Sequence, residues 1–184
     1  MLFARALRPR PRAAVTLQLR RPSERDFKLI RDIAWRSWAA AYGKFLPAED
    51  RSRFFARYYT KEGHRRALAS RRTLFLVAED ERGPMAFVLA TEDGGQVHLH
   101  RLYADPARQR SGAGQALWNE LVRWARSRGA TRIRFEVASE GESGPRFYRK
   151  QGARPEEETL MPVGRVAVRV TRYAFDVLPE VRGR

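Results

Sequence analysis

Cysteine is absent from the 184 residues. That excludes disulfides, thiolate metal sites and thiol nucleophiles, and it leaves the compartment open. Histidine is scarce at three residues, and lysine supplies only Lys28, Lys44, Lys61 and Lys150 of the 37 basic side chains. No apolar run approaches the ~18 residues a membrane span requires, so no membrane segment is expected. Acidic residues are few against this background, 21 in all, and the formal net charge is +16. An arginine excess favours acidic partners, whether nucleic acid, phosphorylated cofactors or anionic surfaces. The arginines are spread over every segment, without the one-sided clustering and interleaved aromatics of a nucleic-acid module. Nucleic acid therefore stands as a partner on net charge alone.

What is present suffices for one domain with a core, at 43% hydrophobic residues. Residues 1–14 are basic, acid-free and broken by prolines; they are expected to form a disordered tail, with a second tail at 179–184. The single domain is expected over 15–178, with a cytoplasmic location and a monomeric or homodimeric state.

From Val15, "VTLQLRR" alternates like a strand. Ser23 with Asp26 three residues on forms a capping box, and Phe27, Ile30, Ala34, Trp38 and Ala41 follow at helical spacing. Pro47 opens a second helical stretch, and a third short one is expected over 64–70. Residues 73–80, 85–92 and 96–104 read as an antiparallel meander, because their connections are too short for crossovers. A helix over about 113–128, with Ala113, Leu117, Leu121, Trp124 and Ala125 on one face, ends at Gly129. A strand at 131–137 can then lie parallel to the one ending at Ala104. A short helix near 146–151 and strands near 153–160 and 165–176 complete an α+β chain with a mixed sheet.

The chemistry centres on "SGAGQALW" (111–118), a bare loop opening into a helix. Free N–H groups and the positive end of a helix suit a phosphate there. A Walker loop is excluded because Gln115-Ala116 follow Gly114, where lysine and Ser/Thr are needed. A dinucleotide fingerprint is excluded by Leu117 in place of a third glycine, and by the loop's position after a meander. What remains is Gln109-x-x-Gly112-x-Gly114, entered from a strand through "YADP".

"LYADPARQRSGAGQALW" resembles the acyl-CoA-binding segment of the GNAT superfamily of N-acetyltransferases, whose signature is Arg/Gln-x-x-Gly-x-Gly/Ala. "RFYRKQGAR" (146–154) is similar to that family's Phe-Tyr-x-x-x-Gly helix, and "IAWRSWAAAYGKFLP" (33–47) looks like its first helix and loop. The resemblance runs from about Val15 to Val177. It implies a three-layer α/β/α fold, with a mixed, mostly antiparallel sheet of six to seven strands splayed at a central parallel pair. It implies acetyl-CoA as co-substrate and no metal. Main-chain groups of Leu102, Tyr103 and Ala104 would pair with the pantetheine arm and polarise the thioester. Gln109, Arg110, Ser111, Gly112, Ala113, Gly114 and Gln115 would cradle the pyrophosphate.

The implied activity is transfer of an acetyl group to a primary amine in a ternary complex, with Tyr148 as the acid protonating the leaving sulfur. For the base, His98 and His100 share one strand face and Glu136 stands on the neighbouring strand. A zinc site on the two histidines lacks a third ligand, since His64 falls in a helical segment. One feature departs from the family pattern: the asparagine many members carry about seven residues before the tyrosine is Gly141 here. Ser139 and Ser143 stand nearby as substitutes. The acceptor pocket would lie between residues 43–70 and the last strand pair, where Glu49 and Asp50 would either greet a cation or cap a helix. The alternative is a non-catalytic domain of the same fold that senses acyl-CoA or binds RNA.

Overall fold

The computed structural model describes residues 17–177; the expected tails, and the first residues of the strand expected from Val15, lie outside that range. Seven strands are described: β1 (Gln18–Arg20), β2 (Thr73–Asp80), β3 (Gly83–Asp93), β4 (Gln96–Ala104), β5 (Arg132–Ala138), β6 (Arg154–Val163) and β7 (Val166–Asp176). They form one sheet in the order β1-β2-β3-β4-β5-β7-β6. Tight turns join β2 to β3 and β3 to β4, so these pairs are antiparallel. β4 and β5 are parallel, which requires the crossover that a helix supplies. The helices are α1 (Phe27–Tyr42), α2 (Ala48–Tyr58), α3 (Lys61–Ala69), α4 (Ala113–Ser127) and α5 (Ser143–Lys150).

Strand alternation divides the interior between two faces. Val88, Val97, Ile133 and Phe135 pack with Leu117, Leu121 and Ala125 of α4. Phe87, Val77 and Val168 pack with Ile33 and Trp38 of α1 and Phe55 of α2 on the other face. The result is helix, sheet, helix in three layers. Leu117 and Leu121 are fully buried, each stabilising by about 1.5–3 kcal/mol relative to exposure.

The capping box forms: the Ser23 N–H donates to Asp26 Oδ2 at 2.7 Å. Arg20 of β1 adds two bonds of 2.9 Å to the same carboxylate. This guanidinium holds the Asp26 carboxyl well below the usual carboxylate range. The box opens a 3-10 turn over Glu24–Asp26, so α1 proper starts at Phe27. Its buried stripe is Ile30, Ile33, Ala34 and Trp38, while Ala41 is exposed. α3 starts at Lys61, earlier than the expected residue 64, because Thr60 Oγ1 caps it by accepting from the Gly63 N–H at 3.0 Å. α5 starts at Ser143, since Pro145 lies in the first turn, where a helix needs no N–H. β6 runs on through Pro162, tolerated because β6 is an edge strand.

Candidate active site

The pairing of β4 with β3 passes from Leu89↔Arg101 to Ala90↔Leu99, leaving His100 as an extra residue in β4. Such a bulge bends its strand and increases twist. On its other side β4 pairs with β5 only at Gln96–His98 against Arg132–Arg134. Beyond His98 the two strands part. Leu99 to Ala104 and Phe135 to Ala138 keep their outer partners, β3 and β7, and face a gap with main-chain groups unpaired to each other. A peptide-like ligand can pair with such groups as a short added strand.

At the open end of β4, Asp105 caps a 3-10 turn (Pro106–Arg108) and pairs with Arg36 of α1 at 2.8 Å. Ser37 Oγ donates to the Ala104 carbonyl at 2.7 Å, fixing α1 to the strand end. Arg108 is committed to Asp80 and donates to the Gly83 carbonyl at 3.0 Å. The loop then takes two left-handed residues, Arg110 at φ 62° and Gly112 at φ 84°. A Cβ at Gly112 would meet nothing within 4 Å, so this glycine is required by its backbone conformation and not by crowding. Gly112 caps α4, and its carbonyl accepts the first helical bond, from the Ala116 N–H at 2.9 Å.

Among the described residues no acceptor meets the N–H groups of Gln109, Arg110, Ser111 and Gly112, nor those of Gly114 and Gln115 in the first helical turn. The Ala113 N–H reaches Ser111 Oγ at 3.4 Å. Residues 109–112 are exposed, and Arg110 makes no ion pair among the described residues. This donor set fits a pyrophosphate. The Gln115 side chain is engaged elsewhere, with Asn119 at 2.9 Å and Gln151 of α5 at 2.8 Å, so only its main chain faces the loop.

Tyr148 of α5 is buried against β5. Its ring lies 4.3 Å from that of Phe135, 5.6 Å from Trp118, 5.2 Å from Phe147 and 6.5 Å from Tyr173. Among the described residues its hydroxyl has no hydrogen-bond partner. Burial pushes the phenol well above its ordinary range, and the phenols of Tyr103 and Tyr42 add to the rise. Tyr103 and Tyr42 line a cleft on the α1–α2 face, whereas Tyr148 belongs to the interior on the α4 side. Leu102 and Ala104 pack towards α4, while Tyr103 turns the other way and accepts from Trp38 Nε1 at 3.0 Å. Ser143 is exposed at the start of α5, whereas Ser139 Oγ is bonded to Thr171 Oγ1 at 2.8 Å.

The cleft has a volume of about 230 Å3 and receives His98, His100 and Glu136 together. The two imidazoles lie 4.6 Å apart. Burial, then His98 and Arg101, lowers His100 to about 4, and its Nε2 is 2.8 Å from Thr91 Oγ1. His98 is lowered by burial but supported in the charged form by Glu136. Glu136 itself lies 3.6 Å from Arg172. Glu49 and Asp50 do not enter this cleft. Glu49 pairs with Arg53 and Arg165. Asp50, 1% exposed, accepts from the Arg165 N–H at 3.1 Å, which ties α2 to the β6–β7 turn. Sequence reasoning missed Arg101 and the side-chain role of Tyr103, whose joint placement depends on the bulge. Among the described residues no group of three or more metal-binding side chains occurs, and no helix is long and apolar enough to cross a membrane.

The splayed parallel pair and the loop of unpaired N–H groups at the following helix together suit a ligand with a peptide-like arm and phosphates. Residues 27–153 match the model of the acetyltransferase (GNAT) family. The chain belongs to that family, and its activity is acetyl transfer in the family's general sense. Among solved structures, PaiA N-acetyltransferase from Thermoplasma acidophilum in complex with coenzyme A is 21% identical, with a TM-score of 0.74 over 85% of this chain and 98% of that one. The ribosomal-protein-S18-alanine N-acetyltransferase from Escherichia coli is 16% identical, with a TM-score of 0.67 over 92% of this chain and 99% of that one. Ard1 from Thermoplasma volcanium is 18% identical, with a TM-score of 0.67 over 89% of this chain and 99% of that one. These likenesses establish the shared fold. No curated protein sequence matches the chain.

Proposed function

We propose that this protein transfers the acetyl group of acetyl-CoA to a primary amine bound in the cleft on the α1–α2 face, by direct attack within a ternary complex. The observation that carries this reading is the gap where β4 and β5 part, beside a cleft that gathers His98, His100 and Glu136. Acetyl-CoA supplies a thioester, whose carbonyl accepts the amine and whose sulfur leaves. The unpaired N–H groups of residues 109–112, 114 and 115, with the Arg110 guanidinium, hold the pyrophosphate. Main-chain groups from Leu102 to Ala104 orient the pantetheine arm and polarise the carbonyl.

Tyr148 donates its proton to the departing sulfur. Its raised pKa keeps that proton in place at every working pH. His98 serves as the base, directly or through water. It is neutral at pH 7, and Glu136 favours the imidazolium it becomes. His100 serves less well, because its affinity for a proton is low and its Nε2 is engaged with Thr91. No cysteine exists to carry an acetyl-enzyme, in keeping with direct transfer.

The same lack makes the assay clean, because a thiol reagent in solution sees only released coenzyme A. Incubation with acetyl-CoA and a panel of primary amines is expected to give amine-dependent thiol release matched by N-acetylated product in mass spectra. Tight acetyl-CoA binding with no amine-dependent release across the panel would instead favour a sensor.

A further inference from the structure

The acceptor cleft carries an unbalanced charge. Arg101, the residue after the bulge, donates from Nη2 to the Tyr58 carbonyl at 2.7 Å. Its guanidinium carbon stacks 4.0 Å from the Tyr59 ring centroid. Those two contacts fix its plane and use one of its five N–H donors. Among the described residues no carboxylate pairs with it. Glu136, the carboxylate lining the same cleft, is shared with Arg172, which also holds Glu157 at 2.5 Å. An anchored guanidinium with free donors matches a carboxylate, which it can hold through two parallel bonds.

The remaining walls are apolar and aromatic. Trp38, Tyr42 and Phe54 form one side, with Trp38 stacked on Phe54 at 4.6 Å and edge-on to Tyr42 at 4.9 Å. Met161, Val168 and Val170 face them from the last hairpin. The volume of about 230 Å3 lies below the ~300–1,000 Å3 typical of drug-sized ligands. A polyamine or amino sugar needs several carboxylates or acceptors, and this cleft offers a surplus cation instead.

We infer that the acceptor is a free α-amino acid with an aromatic or large apolar side chain, its carboxylate held by Arg101 and its side chain by the Trp38, Tyr42 and Phe54 wall. This rests on the acetyl-transfer reading above. The neutral amine forms a C–N bond to the thioester carbonyl carbon, and the C–S bond breaks. The sulfur leaves with a proton as the free thiol of coenzyme A, and the nitrogen loses a proton to the base or to water. The products are an N-acetyl amino acid and coenzyme A.

The test compares each of phenylalanine, tyrosine, tryptophan and leucine with its own decarboxylated amine, with spermidine and a short peptide as further acceptors. In the unaltered protein kcat/KM for the best amino acid is expected to exceed that of its decarboxylated partner by about tenfold or more, the scale of a charge-assisted bond. Arg101→Gln should bring that ratio towards one, mainly through KM, and Arg101→Lys should retain part of it. If Arg101→Gln does not fold, the ratio in the unaltered protein and the Arg101→Lys value still decide. A ratio at or below one, an equal loss for both partners in the variants, or preference for spermidine or the peptide overturns the amino-acid assignment and leaves acetyl transfer standing. Acetyl-CoA binding by calorimetry with no acceptor used overturns both.

Discussion

Removing one oxygen from Tyr148 separates chemistry from folding. The ring of Tyr148→Phe keeps its contacts with Phe135, Trp118, Phe147 and Tyr173. Because the hydroxyl has no partner among the described residues, its loss orphans no buried group. Stability should therefore change by no more than about 0.5 kcal/mol, the range of substitutions that break no contact. Catalysis should change more. General acid assistance is worth about 10²–10⁴-fold, but a thiolate is already a fair leaving group, so the low end or less applies. A fall in kcat of roughly 10–100-fold corresponds to about 1.4–2.7 kcal/mol of transition-state stabilisation. The measurement is single-turnover N-acetyl product formation, which isolates the chemical step, alongside calorimetric affinity for acetyl-CoA. Since burial holds the phenol far above its usual range, the parent enzyme should show no loss of rate from tyrosine ionisation at alkaline pH. Equal single-turnover rates in variant and parent would refute the role of Tyr148 and leave water or the acceptor to supply the proton.

Three other outcomes are expected. Gly112→Ala forces a side chain into φ 84° at about 1–2 kcal/mol. The loop should relax, weakening acetyl-CoA binding about tenfold in calorimetry, and unchanged affinity would misplace the cradle. Gly164→Ala puts a Cβ against Asp50 Oδ1 and 2.8 Å from Asp50 Cγ at φ 62°, for a loss of about 2–4 kcal/mol in denaturant melts. The loss should shrink in an Asp50→Ala background, and additivity of the two changes would show that the contact with Asp50 is not the cause. For pH, kcat/KM should fall as His98 gains its proton, with a midpoint below the ordinary 6.5 because burial lowers that imidazole. Glu136 stabilises the charged ring, so Glu136→Gln should move the midpoint lower still, and His98→Ala should abolish the limb; an upward shift in Glu136→Gln would contradict the assignment.

The local grammar of the chain was legible without coordinates. Ser23 and Asp26 cap, the turns after β2 and β3 are too short for anything but hairpins, and the Gln109-x-x-Gly112-x-Gly114 loop announces bare main chain before an amphipathic helix. These are signals between residues a few positions apart, where backbone sterics and local hydrogen bonds act without the rest of the fold. The signal in "RFYRKQG" likewise marked Tyr148, although α5 begins three residues before 146 because proline is welcome in a first turn.

Long-range packing decided the rest. Sequence order does not reveal that β7, and not β6, lies beside β5, since strand neighbours are chosen by which faces bury together. Glu49 and Asp50 read as a cation's partners or a helix cap, yet the β6–β7 turn claims both through Arg165. The bulge at His100 turns Arg101 onto the cleft side beside Tyr59, where strict alternation from His98 and His100 would have sent it to the opposite face. That one extra residue converts a basic strand position into the cation of an aromatic cleft, and it exists only because β3 and β4 pair out of step.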